Sequence, residues 1–171
     1  DLMLQPGGAV FGDPFAGGTA TLGNLSGSGE ISLAYGGTTG TRTISVEQTA
    51  DATYSGSMHD AGARVLAFEK NGAAKLTVTA DNNFTGGTTI NDGRIDIERA
   101  DSLGNATSGS TDVTVRNGTL DLSFDGTAGS YASATTHFTA LFGILTLGGV
   151  AGGTPTILTS GTVGSGAALG I

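Results

Sequence analysis

Two carboxylates occupy matching places in two similar lines of this sequence. Asp96 lies in Arg94-Ile95-Asp96-Ile97 and Asp121 in Thr119-Leu120-Asp121-Leu122, an offset of 25 residues (121 − 96). If both lines are strands on successive turns of a coil, the carboxylates stand about 4.8 Å apart on its outer face. Such a pair can bind a cation such as Ca2+, or act as acid and base on a polysaccharide. It can equally be a solvated outer ladder with Arg94, Glu98 and Arg116 close by, and that reading is adopted. The calcium-binding Gly-Gly-x-Gly-x-Asp nonapeptide is absent from the sequence. No catalytic residue, cofactor or resident metal is expected, and Asp96 and Asp121 stay as the candidates for a cation.

The other groups able to do chemistry are scattered. His59, beside Asp60, and His137 are the only histidines, and their contexts are unlike. No serine sits in Gly-x-Ser-x-Gly with a partner histidine. Asn24, Asn83, Asn105 and Asn117 fit Asn-x-Ser/Thr. Asparagine turns between threonine-rich strands generate that pattern by themselves, so these residues are read as turn formers.

The elements that must carry these residues are short strands. The 171 residues fit one domain and include 31 glycines, with only 13% charged and 37% apolar side chains. Alternating Val, Ile, Leu and Thr between Gly and Asn turns is the pattern of an all-β protein. The net charge of −8 opposes binding to nucleic acid or to an anionic membrane. Cysteine is absent, which excludes disulfides and thiolate metal sites. The longest apolar run, around Leu141 to Leu147, is too short to cross a bilayer as a helix. The chain opens at Asp1 with neither Met nor leader, which points to a processed product or part of something longer.

Two internal repeats appear. Residues 88–97 and 113–122 each run from an alternating strand through Asp-Gly or Asn-Gly into a second strand, 25 residues apart (118 − 93). Residues 49–56 match 79–86 at an offset of 30 (81 − 51), each copy ending aromatic, hydroxyl, Gly (Tyr54-Ser55-Gly56, Phe84-Thr85-Gly86). Asn71-Gly72 followed by Lys75-Leu76-Thr77-Val78 is a further strand of the same kind. Repeats of 20–50 residues signal coils that stack into a solenoid. The same Asn-Gly and Asp-Gly turns are also strong antiparallel hairpin signals, which would build a sandwich. The intact flanking motif and the one-sided alternation favour the solenoid.

The run Phe84-Thr85-Gly86-Gly87-Thr88-Thr89-Ile90-Asn91-Asp92-Gly93-Arg94-Ile95 resembles the signature of the passenger-associated strand-loop repeat of bacterial autotransporters. Residues 68–78 resemble its lead-in and 100–104 its exit; 27–29 and 53–56 resemble the preceding half-repeat. Asn71-Gly72-Ala73-Ala74, Arg94 and Glu98 depart from it. The resemblance implies a right-handed parallel β-helix, export to the bacterial cell surface or the medium, and a structural rather than enzymatic role.

The organisation expected is an N-terminal loop or cap over 1–24, β-helix coils over 25–125, and an uncharged segment over 126–171. About seven coils would form a rod roughly 35 Å long. Residues 126–171 contain no Asp, Glu, Lys or Arg. A strand apolar on both faces must be covered on both, so Phe138, Leu141, Phe142, Ile144, Leu145 and Leu147 are candidate self-association residues. They would pack as last coils of this domain or against a neighbouring subunit. The function expected is a passenger stalk or adhesin, with its own coils, copies of itself or host and cell-surface ligands as partners. The alternatives are a subunit stacking end to end into an extracellular fibre, and a carbohydrate-active β-helix, which 6% aromatics and no Trp disfavour.

Overall fold

The alternating residues fold into short strands that all pair in parallel. The computed structural model describes residues 2–5, 7, 9–12, 18–35, 39–99, 102–104, 112–116, 119–121, 137–140, 144–146, 162–163 and 168–170. The first three coils are β1 (Leu2–Leu4), β2 (Ala9–Gly12), β3 (Thr19–Leu22), β4 (Leu25–Gly27), β5 (Ile31–Tyr35), β6 (Gly40–Glu47), β7 (Ala52–Tyr54), β8 (Met58–His59) and β9 (Arg64–Asn71). There follow β10 (Lys75–Val78), β11 (Thr88–Ile90), β12 (Arg94–Ile97), β13 (Asp112–Val115) and β14 (Thr119–Asp121). The last are β15 (His137–Ala140), β16 (Ile144–Thr146), β17 (Thr162–Val163) and β18 (Ala168–Gly170).

These strands stack as a parallel β-solenoid. One sheet has eight strands in the order β1-β4-β7-β10-β12-β14-β16-β18, and a second has seven, β17-β15-β13-β11-β9-β6-β3. Both advance one strand per coil. A third, β2-β5-β8, lines the remaining side of the first three coils. Among the described residues it continues as the single bridge His59 to Asn83. Residues 2–4 and 19–22, read from sequence as part of a loop or cap, contribute strands to the same two large sheets.

The hairpin reading is overturned. Asn71-Gly72 and Asp92-Gly93 each turn the chain from one sheet into the other, and the strands on either side do not pair with each other. Among the described residues the antiparallel contact is the isolated bridge Ala61 to Arg64. The 25-residue repeat is a true coil period: Thr88 lies opposite Val113 and Arg94 opposite Thr119. The 30-residue repeat is not. Tyr54 lies opposite Val78, and Arg64 opposite Gly40 rather than in any column with Arg94. Its two copies sit on opposite sides of the third wall, Tyr54 just before β8 and Phe84 just after the Asn83 bridge.

What those copies share is local work. Both rings are fully buried. In each, the following glycine presses on the coil below. A Cβ on Gly56 would fall 1.8 Å from the Gly29 carbonyl oxygen, and one on Gly86 2.5 Å from that of Leu66. Only a residue without a side chain lets the backbone come so close.

The core is a set of in-register columns. Ile44, Phe68, Thr88 and Val113 form one, and Tyr54, Val78 and Ile97 another, all essentially inaccessible. Burying each large apolar side chain contributes about 1.5–3 kcal/mol. Three of the polar side chains inside bond across coils. Gln48 accepts from Leu25 N (3.0 Å) and donates to Ala50 O (2.9 Å). Asn82 accepts from Met58 N (2.7 Å) and donates to Ser102 O. Thr88 Oγ1 donates to Leu103 O (3.2 Å).

Candidate functional site

Alternation sets the phase of β12, burying Ile95 and Ile97 and turning Asp96 outward. Across the sheet Asp96 lies opposite Thr77 on one side and Asp121 on the other, as the 25-residue offset requires. The carboxylate is already occupied. Arg94 Nε donates to Asp96 Oδ1, and Lys75 Nζ lies 3.8 Å from Oδ2. A cation at this column would have to displace both. Asp121 sits on β14, and its side chain lies outside the described part of the structure. Among the described residues no group of three or more His, Asp or Glu side chains is arranged to hold a metal.

His59 is tied to the coil below. Its Nε2 lies 2.7 Å from Glu30 Oε1 and its Nδ1 3.0 Å from Asp60 O. Partial burial works against the imidazolium, but the Asp60 carbonyl, Glu30 and the Asp60 carboxylate together hold its pKa above the ordinary 6.5. A raised histidine pKa adds stability that is complete below 6.5 and is lost as pH rises through the folded-state value. Both partners are partly exposed, so the expected gain is only a few tenths of a kcal/mol. The urea midpoint of the native chain should exceed that of His59→Gln at mildly acidic pH and match it at pH ~8. An equal gap at both values would refute the assignment. His137 is far along the stack on β15, opposite Asp112, and does not join His59.

Asp60 acts as a structural acceptor. Its Oδ1 accepts from Leu66 N (2.7 Å) and Thr85 N (3.3 Å), and Oδ2 from Thr85 Oγ1 (2.6 Å). It therefore holds two successive coils together at the third corner.

The group that sequence reasoning missed is Lys70. On β9 the inward positions are Arg64, Leu66, Phe68 and Lys70, so a lysine enters the interior and is fully inaccessible. Its Nζ donates to three turn carbonyls: Gly72 O at 2.6 Å, Asn71 O at 3.0 Å and Asp92 O at 3.2 Å. Burial pushes its pKa down to about 8, against the opposing attraction of Asp92, Glu47 and Asp51. The lysine thus pins the turn at Asn71-Gly72 to the turn at Asp92-Gly93. Phase alone could have found it, because Lys70 shares the parity of Leu66 and Phe68.

Outside this edge runs a polar ladder. Asn71 Nδ2 donates to Ser45 Oγ (2.8 Å), Asn91 Nδ2 donates to Asn71 Oδ1 (2.9 Å), and Asn91 also donates to Glu69. Of the proposed self-association residues, Phe138, Ile144 and Leu145 lie on strands whose backbones continue the two large sheets. Leu141, Phe142 and Leu147 lie outside the described residues.

The segment built around Lys70 and the two Gly turns is also the segment that comparison picks out. Residues 68–97 match the family model described as Passenger-associated-transport-repeat. The resemblance read from the sequence holds for that stretch. No curated protein and no solved structure matches the chain. The passenger repeat is a structural repeat and not an enzyme family, and it implies a secreted or surface-displayed protein. In this chain the matched stretch starts at Phe68 in the core column and ends at Ile97, so it spans the Lys70 staple and both stacked glycine turns.

Proposed function

We propose that this chain is a non-enzymatic length of passenger rod, displayed on or released from a bacterial cell surface. The observation that carries the reading is the passenger repeat sitting inside a parallel stack whose interior Gln48 and Asn82 side chains bond between coils. In such a rod the product of folding is shape: backbone hydrogen bonds run along the axis and apolar columns hold the register. Side loops then carry any adhesin contact with host or neighbouring molecules. The test is to label intact cells making the parent protein with antibodies raised against residues 25–99. Labelling without permeabilisation is expected; labelling only after permeabilisation would sink the proposal.

A second reading is a subunit that stacks end to end into an extracellular fibre. It is favoured by the uncharged segment 126–171, which contains no Asp, Glu, Lys or Arg to oppose axial contact between copies. Negative-stain microscopy with light scattering on the purified chain decides it. Regular fibres would support stacking, and a monodisperse monomer would exclude it.

A further inference from the structure

Two turns on the edge between the large sheets carry dipeptides that undergo spontaneous backbone chemistry, Asn71-Gly72 and Asp92-Gly93. In each, the glycine nitrogen can attack the preceding side-chain carbonyl carbon to close a five-membered imide. From an unfolded chain at neutral pH, asparagine is the faster of the two because the ionised aspartate carboxylate resists attack by the nitrogen. The fold treats them oppositely.

Asn71 is bound at both ends of its amide, Nδ2 donating to Ser45 Oγ at 2.8 Å and Oδ1 accepting from Asn91 Nδ2 at 2.9 Å. Its backbone carbonyl is held as well, by Gln48 N at 2.9 Å and Lys70 Nζ at 3.0 Å. Turning the amide towards Gly72 N would break the ladder. Asp92 is exposed, and Gly93 N already donates to its Oδ1 at 2.7 Å. Nucleophile and carboxyl group are therefore in contact in the folded state, and glycine puts no side chain in the way. Lys70 Nζ lies 3.2 Å from the backbone carbonyl oxygen of Asp92.

We propose that Asp92 is a site of spontaneous isoaspartate formation in the folded protein, and that the fold shields Asn71 from the corresponding deamidation. In the first step the Gly93 N–Cγ bond forms, the nitrogen loses its proton, and the Cγ–O bond breaks to release water. In the second, water adds to the backbone carbonyl of Asp92 and the carbonyl–nitrogen bond breaks. The main chain then runs through Cγ. Nothing is oxidised or reduced, and the mass is unchanged. The Lys70 ammonium polarises the carbonyl whose attack gives the isoaspartyl product rather than the original aspartate. The carbonyl of Asp92 that Lys70 holds becomes a free carboxylate on a side branch, and the turn of an aged rod is one backbone atom longer at this coil.

The experiment incubates the purified chain at pH ~7 and body temperature for weeks, folded and in parallel in concentrated urea. Tryptic peptides 71–75 and 76–94 are then separated and scored for deamidation and isoaspartate with an isoaspartyl methyltransferase. Folded samples should accumulate isoaspartate in 76–94 and keep 71–75 intact, with Asn71 deamidating at least about tenfold more slowly than in urea because two side-chain hydrogen bonds must first break. In urea the order should reverse. Asp92→Glu, which cannot close the five-membered ring, should remove the modified 76–94 peptide while leaving the circular dichroism unchanged. Deamidation of folded Asn71 at its urea rate would overturn the proposal, as would a folded 76–94 peptide free of isoaspartate.

Discussion

Gly93→Ala is expected to destabilise the rod by about 3–5 kcal/mol, where Gly62→Ala costs about 1–2. The two glycines have the same backbone conformation, with φ of +67° and +62° respectively. Both substitutions therefore place an L side chain in the left-handed region, at about 1–2 kcal/mol each. They differ in what the new Cβ meets. At Gly62 nothing lies within 4 Å; at Gly93 the Cβ would stand 2.4 Å from Gly72 O, 2.7 Å from Ala74 O and 2.8 Å from Lys70 Nζ. Two of those three atoms belong to the backbone of the neighbouring turn and cannot swing aside, so the coils must part. Since a domain is stable by only about 5–15 kcal/mol, a loss of this size should be plain in urea denaturation followed by circular dichroism. Equal midpoints for the two variants would mean that stacking of the turns contributes nothing.

Lys70→Met should cost about 2–4 kcal/mol at neutral pH. Methionine fills the interior path of the lysine stem but leaves Gly72 O and Asp92 O without the ammonium that now bonds them at 2.6 and 3.2 Å. Part of this loss is offset because a buried charge no longer has to be desolvated. The pH dependence separates the two effects. With the folded pKa down at about 8 and the unfolded one at 10.5, the unfolded chain holds more protons in that interval. Stability therefore rises with pH from about 8 upward, and below 8 both states are charged and the contribution is flat. Between pH ~8 and ~9.5 the native chain should gain on the order of 2 kcal/mol over Lys70→Met. The difference levels off as pH nears the unfolded lysine value of 10.5, while Tyr54, whose phenol is raised chiefly by burial and further by Glu30, lowers the stability of both proteins alike at higher pH. A difference between the two proteins that stays constant across this range would show that Lys70 is not the titrating group.

Much of the architecture is legible from local text. Strict alternation in Arg94-Ile95-Asp96-Ile97 and Lys75-Leu76-Thr77-Val78 sets which side chains are buried, since successive Cβ atoms point to opposite faces of a strand. The 25-residue offset between the Asp-Gly and Asn-Gly dipeptides gives the coil period directly, because the strands on either side of them pair at that same offset. The outward position of Asp96 follows from the same parity.

What the sequence determined by itself was the strand phase and the turn glycines, each a consequence of backbone geometry within a few residues, while its internal repeat favoured the parallel coil over hairpins. The tertiary structure alone decided which coil lies against which. The spacing between paired residues is 24 from Ala52 to Leu76 but 19 from Lys75 to Arg94, so text aligned at a constant 30 lands in the wrong register. It also decided that a third sheet closes the first three coils, that Asp96 is neutralised by Lys75 from the neighbouring strand, and that Lys70 reaches the carbonyls of two turns at once. These depend on atoms about 20 residues apart in the chain meeting across one coil spacing. Local patterning cannot specify such contacts when the loops between strands vary in length.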